Sequence, residues 1–377
     1  MAFELKHRSM YLDWYVHVPK VKYDFRSSGI ARFSHDLTLE GFDLSTNYDH
    51  GNPETTGQLA RWYGVNPEYV FVSSEGASGQ NARVIRLLAE RSPRKREAVV
   101  EYPTYEPLLR QVQEYFKRVK RLTRTEEDAY RLDADELARI VSEKTGLLVL
   151  TNPHAPSGAT SDTKELSAVM DVGHEHGFYV LCDEIYAEFD RKAVPTLFSV
   201  DPERGIVTTS FTKAYGLGGL KLGVALAEKQ LVDELYTDTL NTVGNSSNVV
   251  QHIAAELLSK NKDKLEEHKR KWTRLKKQTE DWLDKMNLEF FPSKAGVTYW
   301  VKTPIKDTYK WTTELTIPRH SLATVPGTFF LFKSDYRLAK TNNVRLSLGN
   351  IDPKGQTLTE ALDALEKAVK ANKPTQE

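Results

Sequence analysis

Three short segments hold side chains whose types and spacing suit chemistry better than packing. Asp183 directly follows an apolar run in Cys182-Asp183-Glu184-Ile185-Tyr186. A carboxylate at a strand end points into the crevice where ligands collect in open α/β sheets. Helix capping also explains an aspartate there, but a cap does not call for Tyr186 three residues on. Lys213 lies in Thr209-Ser210-Phe211-Thr212-Lys213-Ala214-Tyr215-Gly216, again just after an apolar run. Lysine prefers open solvent, so one in a turn behind a buried strand is a candidate amine nucleophile. In Val344-Arg345-Leu346-Ser347-Leu348-Gly349, alternation puts Arg345 and Ser347 on one face and the apolar residues on the other. An arginine projecting from a strand offers a two-pronged fit to a carboxylate, and a solvent-facing arginine is the plainer alternative.

The elements that must position these groups alternate. Apolar runs at 69–72 (YVFV), 98–101 (AVVE), 147–150 (LLVL), 179–182 (YVLC) and 206–208 (IVT) predict buried strands. Helical patterns fall between them at 80–90, 108–118, 134–141 and 163–176. Strand–helix alternation predicts an α/β fold with a mostly parallel central sheet and helices on both faces. From about 249 to 286, Leu258, Leu265, Trp272, Leu275, Trp282 and Met286 recur at helical spacing amid dense Lys and Glu, which predicts one long or broken helix with a solvated charged face. Strands at 297–301 and 344–348 and a closing helix at about 357–368 predict a smaller α+β unit, completed by the N-terminal ~40 residues. The expected division is a large domain over 45–265 and a small one from 1–44 and 266–377.

The 377 residues include 52 Lys plus Arg against 52 Asp plus Glu. That balance argues against nucleic-acid binding, which needs a basic excess. Cys182 is the single cysteine, which excludes an intrachain disulfide and a cysteine-rich zinc cluster. No apolar run reaches the ~18 residues of a membrane span, so a soluble protein of a reducing cytosol is expected. The stretch Gly216-Leu-Gly218-Gly219-Leu-Lys221-Leu-Gly223 fails as a dinucleotide fingerprint, because Lys221 stands at the third glycine position. Gly76-Ala77-Ser78-Gly79 is one residue short of a nucleophile elbow. His174 and His176, two apart on a helix, make a poor metal pair, and no metal is expected.

Seven segments in order resemble the fold-type-I pyridoxal-phosphate enzymes, specifically the class I/II aminotransferases of the aspartate aminotransferase branch. They are Gly76-Ala-Ser78, Tyr102-Pro-Thr-Tyr105, Asn152-Pro-His-Ala-Pro156-Ser-Gly158, Asp183-Glu-Ile-Tyr186, Ser210-Phe-Thr-Lys213, Pro326-Gly327-Thr-Phe-Phe and Val344-Arg345-Leu. The resemblance implies pyridoxal 5′-phosphate as cofactor and Lys213 as the Schiff-base lysine, which also carries the proton between carbons. Asp183 would face the pyridine nitrogen, Tyr186 and Asn152 the ring 3′-oxygen side, and Tyr105 a ring face. Gly76, Ala77 and Ser78 would cradle the phosphate, with Ser210 and Lys221 beside it. Tyr48 would reach the phosphate of a partner subunit, which implies a homodimer. Arg345 would clamp the substrate α-carboxylate, and the loop containing Gly29 and Ile30 would line the substrate side.

Two positions depart from the family pattern. Ala155 stands where an asparagine usually bonds the 3′-oxygen, a loss of ~0.5–1.5 kcal/mol or about tenfold, with His154 and Asn152 as candidates to compensate. Lys221 replaces a phosphate-binding arginine, keeping the charge without the fork. The expected activity is ping-pong transamination between an amino acid, with aspartate the first choice, and a 2-oxo acid such as 2-oxoglutarate. Arg26 and Arg32 are candidates to read a second carboxylate. A C–S lyase or decarboxylase of the same fold, and a catalytically weakened binding protein, are the alternatives.

Overall fold

The computed structural model describes residues 9–30, 38, 42, 43, 45–260, 262–332, 339–351 and 356–371. A seven-stranded sheet forms the centre. Its strands in chain order are β1 (Val70–Ser73), β2 (Glu97–Tyr102), β3 (Arg118–Thr123), β4 (Thr145–Thr151), β5 (Tyr179–Asp183), β6 (Gly205–Ser210) and β7 (Gly223–Leu226). The spatial order is β1-β7-β6-β5-β4-β2-β3. All neighbours are parallel except β7, which runs antiparallel to both β1 and β6.

Both faces of β4 are fully buried, which is why it reads as an uninterrupted Leu147-Leu148-Val149-Leu150 run. Two apolar clusters lie on opposite sides of the sheet: Leu148, Leu150, Val180 and Cys182 face one, and Leu147, Val149 and Leu181 the other. The five expected strands are present: the first is shifted by one residue, to Val70–Ser73, and the other four are one to three residues longer than expected. Two strands were not expected. β3 is an edge strand, largely polar and half-exposed, and the helix expected over 108–118 stops at Tyr115 to make room for it. β7 is four residues long and hidden behind the glycine-rich stretch.

Helices α1 (Met10–His17) and α2 (Gly76–Arg91) border the site, whereas α3 (Lys262–Lys285) and α4 (Gln356–Lys370) do not line it. The pattern from 249 resolves into Asn248–Lys260 and α3. Trp272, Leu275, Trp282 and Leu283 of α3 are buried; the side chain of Leu265 lies outside the described residues. A four-stranded antiparallel sheet follows, from β8 (Glu289–Phe291), β9 (Thr298–Lys302), β10 (Val325–Pro326) and β11 (Asn343–Ser347), in the order β10-β11-β9-β8. The N-terminal stretch joins this part of the fold: Tyr23 and Asp24 pair in parallel with Leu322 and Ala323. Among the described residues, no helix is long and apolar enough to cross a membrane.

Candidate active site

The C-terminal ends of β4, β5 and β6, the N-terminus of α2, helix α1 and strand β11 surround a cleft of about 670 Å³. Asp183, Tyr186, Lys213, Lys221, Tyr105, Gly76, Ala77, Ser78, Gly29, Ile30 and Arg345 all line it, although they are spread over 317 positions of chain from Gly29 to Arg345, counted inclusively.

Asp183 closes β5 and is buried. Its Oδ2 accepts from Asn81 Nδ2 at 2.7 Å and its Oδ1 from the Ile185 N–H at 3.0 Å. Asn81 is itself held by the Thr208 hydroxyl, which donates to Asn81 Oδ1. Burial raises the Asp183 carboxyl above its ordinary pKa, while those two hydrogen bonds and the Lys213 charge pull it back toward the ionised form. The arrangement is a carboxylate fixed in direction, facing a cleft that can accept a cation or an N–H.

Lys213 lies in the turn after β6. Its Nζ donates to Ser28 Oγ at 3.0 Å, and its carbonyl accepts from the Ile30 N–H at 2.8 Å. Burial lowers its pKa below the ordinary lysine value; the Arg345 and Lys221 charges add to this, and Tyr11 and Asp183 oppose it. A directed amine whose proton is held less tightly than in an ordinary lysine can serve as a nucleophile and a base. The loop holding Ser28 lies tight on this lysine, since a Cβ at Gly29 would sit 2.9 Å from Lys213 Cδ.

The N-terminus of α2 provides the anion cradle. Its N-cap Glu75 makes no side-chain cap bond, so the first-turn N–H groups are open. Gly76 itself is not a donor there: its N–H bonds the Lys221 carbonyl at 2.6 Å. Ala77 and Ser78 therefore carry the backbone share of the cradle, with the Lys221 side chain on its rim. The same bond explains Gly223, since a Cβ there would sit 2.6 Å from the Gly76 carbonyl oxygen and 2.9 Å from Gln80 Cγ. Gly223→Ala is expected to destabilise the fold by ~1–3 kcal/mol through overpacking and to weaken cofactor binding at least about tenfold. Thermal melts and a cofactor titration check this; an unchanged affinity would contradict the cradle.

Arg345 projects from β11 and is 3% exposed. Its Nη2 donates to Tyr11 Oη at 3.1 Å and to the Arg26 carbonyl at 2.8 Å. Its Nε is buried without a partner, and among the described residues no carboxylate pairs with it. A buried guanidinium lacking a counter-anion can take a carboxylate in a two-pronged bond.

Three expected site residues do not line this cleft. Asn152 is committed elsewhere: its amide donates to the Ser161 and Pro195 carbonyls and accepts from the Ser161 N–H. Ser210 turns its hydroxyl to the Leu222 carbonyl at 2.5 Å, stitching β6 to the approach of β7, and Thr212 lines the cleft instead. Tyr48 is half-buried and does not line the cleft of its own chain. His154 offers no compensation for Ala155, because its two ring nitrogens bond Ser157 Oγ and the Pro103 carbonyl away from the cleft. Beside Ala155 the wall is Thr151, whose Oγ1 accepts from the Ala155 N–H and donates to the buried Glu101. Arg26 is bound two-pronged to Asp24, at 2.8 and 2.9 Å, and is not free to read a substrate. Arg32 lies outside the described residues.

The residues that escaped sequence reasoning are Asn81, Thr151, Tyr11 and Tyr15; the loop of Ser28 was expected at the cleft, but its bond to Lys213 was not. Asn81 carried a faint signal, as a polar side chain on the inward face of an amphipathic helix. The others had none, because their partners are distant in sequence.

A profile of the family described as aminotransferase class I and II matches residues 41–365. The chain belongs to the class I and II aminotransferases. Relatives include an aspartate aminotransferase of Pyrococcus abyssi, 29% identical over 259 residues, and an aromatic-amino-acid aminotransferase 2 of Thermococcus litoralis, 29% identical over 257. Each match covers 66% of this chain but only 64% and 63% of those relatives, so the chain spans less than two thirds of their length. Among solved structures, a PLP-dependent aminotransferase from Streptococcus suis superposes with a TM-score of 0.82 at 22% identity, covering 98% of this chain and 99% of that one. Thermus thermophilus aspartate aminotransferase with maleate gives 0.80 at 19% identity, covering 95% and 94%. The fold is that of the aspartate aminotransferases, with a mostly parallel central sheet.

Pyridoxal phosphate is the cofactor that membership in the class I and II aminotransferases brings, and this cleft fits it. It pairs an anion cradle at a helix N-terminus with a fixed carboxylate and a half-buried lysine of lowered pKa. No second buried acid competes with Asp183 for the Lys213 side of the cleft among the described lining residues.

Proposed function

We propose that the chain is an aminotransferase that exchanges an amino group between an amino acid with an apolar or aromatic side chain and a 2-oxo acid, in ping-pong order. Pyridoxal phosphate, when bound, supplies an aldehyde that takes up the amino group and a ring that draws electrons from the substrate Cα. Ala77, Ser78 and Lys221 would hold its phosphate, Tyr105 and Tyr186 would wall the ring, and Asp183 would hold a proton at the ring nitrogen. A charge-assisted bond of ~1.5–3 kcal/mol favours that protonated nitrogen by one to two pKa units. Lys213 Nζ, directed by Ser28, takes the proton from Cα and returns it across the cleft. Arg345 fixes the α-carboxylate and so orients the Cα–H bond toward that amine. Residues 45–265 would carry the cofactor, and 1–44 with 266–377 would close the substrate side. A homodimer, with Tyr48 reaching the partner's phosphate, is part of the same proposal and agrees with its position off its own cleft.

One observation supports an apolar donor over aspartate: the cleft has Arg345 but no second free guanidinium among its described walls. Tyr11, Leu12, Tyr15, Ile30 and Ile185 give it large apolar or aromatic walls, beside the smaller polar Ser27, Ser28, Thr151 and Thr212. The two relatives at 29% identity, one aspartate-named and one aromatic-named, do not favour either. In single-turnover spectra, phenylalanine, tyrosine or leucine is expected to convert the bound cofactor at least about tenfold faster than aspartate. A desolvated apolar side chain contributes ~1.5–3 kcal/mol that a charged one forfeits. A faster reaction with aspartate would reverse the choice of donor, and ammonia release without an acceptor would reverse the reaction type.

A further inference from the structure

Helix α1 supplies Tyr11, Leu12 and Tyr15 to the cleft, yet it is only eight residues long. Isolated helices of that length do not persist in water, so something outside α1 must hold it in place. Ring packing is one part: Tyr11 meets Tyr105, Phe329 and Phe330 at centroid distances of 5.8, 5.7 and 5.9 Å. The other part is a single carboxylate. Glu106 is 0% exposed, and it lies at the N-terminus of α1 across 95 to 97 positions of sequence.

Its Oε2 accepts from Ser9 Oγ at 2.9 Å and from the Tyr11 N–H at 2.7 Å, and its Oε1 accepts from the Met10 N–H at 3.0 Å. Ser9 Oγ in turn accepts from the Leu12 N–H at 3.1 Å. Donors at the start of α1 are thus satisfied by or through one buried acid, which also lies at the positive end of the helix dipole. Arg110, one turn further along the helix that Glu106 begins, donates to Oε1 at 3.2 Å and fixes the carboxylate. Glu106 is the immediate neighbour of Tyr105, so the clamp and the ring wall share one rigid turn.

We propose that Glu106 is a positioning residue for substrate recognition: by clamping the N-terminus of α1 it holds Leu12 and Tyr15 against the donor side chain. This rests on the apolar-donor transaminase reading above. Glu106 does not line the cleft, and its carboxylate reaches it through the donors at the start of α1. Its removal therefore acts on KM for donors whose side chains reach α1, and leaves the cofactor site intact.

The test is steady-state and single-turnover kinetics of wild type, Glu106→Gln and Glu106→Ala with phenylalanine and with alanine, or the smallest donor the wild type turns over. Cofactor absorbance is recorded for each protein. The expected result for Glu106→Ala is a fall in kcat/KM for phenylalanine of roughly 10- to 100-fold, mostly in KM, with a change below about threefold for the small donor and an unaltered cofactor band. Glu106→Gln, which keeps one acceptor oxygen, should fall between. Equal losses for both donors, or no loss, would overturn the proposal. Should Glu106→Ala fail to fold, Ser9→Ala removes one donor from the clamp and must show the same split at a few-fold level. If the wild type converts neither donor, the apolar-donor reading on which this proposal rests has failed; if it converts both and the variants do so equally, only the role of Glu106 has.

Discussion

Replacing Lys213 with alanine should lower turnover by at least about 10⁴-fold, because one side chain serves as both nucleophile and proton carrier and general acid–base catalysis alone is worth 10²–10⁴. The fold should survive. Lys213 is held by a single side-chain hydrogen bond, to Ser28, and its burial opposes its charge. Removing a desolvated amine therefore leaves the melting temperature equal or higher. Pyridoxal phosphate should still bind through the cradle but lose the visible band of the lysine-bound form. The wild type carries a matching pH signature. Only the neutral amine attacks an aldehyde, and Lys213 sits below the ordinary lysine pKa of ~10.4. Capture of cofactor by the apo-protein should quicken as pH rises and level off below that value. A plateau at or above it would mean that burial does not tune this amine.

Arg345→Gln should be the second large loss, of roughly 30- to 5,000-fold in kcat/KM, as expected when one partner of a buried charge pair is truncated at a cost of about 2–5 kcal/mol. Its diagnostic is selectivity. Wild type should strongly prefer an amino acid over the corresponding amine without a carboxylate, and the variant should discriminate far less. Arg345→Lys should fall between, since it retains charge but not the fork. Stability should change little, because the guanidinium has no acid partner among the described residues and its Nε is unpaired. A variant that keeps its preference for the carboxylate would place the clamp elsewhere.

Residues at strand ends were the most legible part of the site. Asp183, Lys213 and Arg345 each follow or occupy an apolar strand, and strand ends in this architecture converge on one crevice. Asn152 and Ser210 entered the expected site through the family resemblance and not through strand-end position. Both sit at the right strand ends, but their side chains satisfy backbone groups of the next loop, at Ser161 and Leu222, and the neighbouring Thr151 and Thr212 face the cleft instead. Which of two adjacent polar residues turns inward depends on loop carbonyls that no local pattern encodes.

The fold shows the same boundary. β4 and β5 are buried on both faces and read directly as apolar runs. β3, with Arg118, Lys120 and Arg121, reads as polar because charged side chains protect a sheet edge. Long-range partners were not legible. Ser28 is 185 positions from Lys213, Asn81 is 102 from Asp183, and Tyr11 is 334 from Arg345. Their meeting is a property of the assembled fold.

The most direct measurement is the absorbance spectrum of the purified protein with pyridoxal phosphate, recorded alone, after phenylalanine, and after a following addition of 2-oxoglutarate. Borohydride trapping and peptide mapping complete it. The account predicts a visible band that bleaches with the amino acid, returns with the oxo acid, and is trapped on Lys213. A band that forms but is trapped on another lysine, or one that no amino acid bleaches, would contradict it.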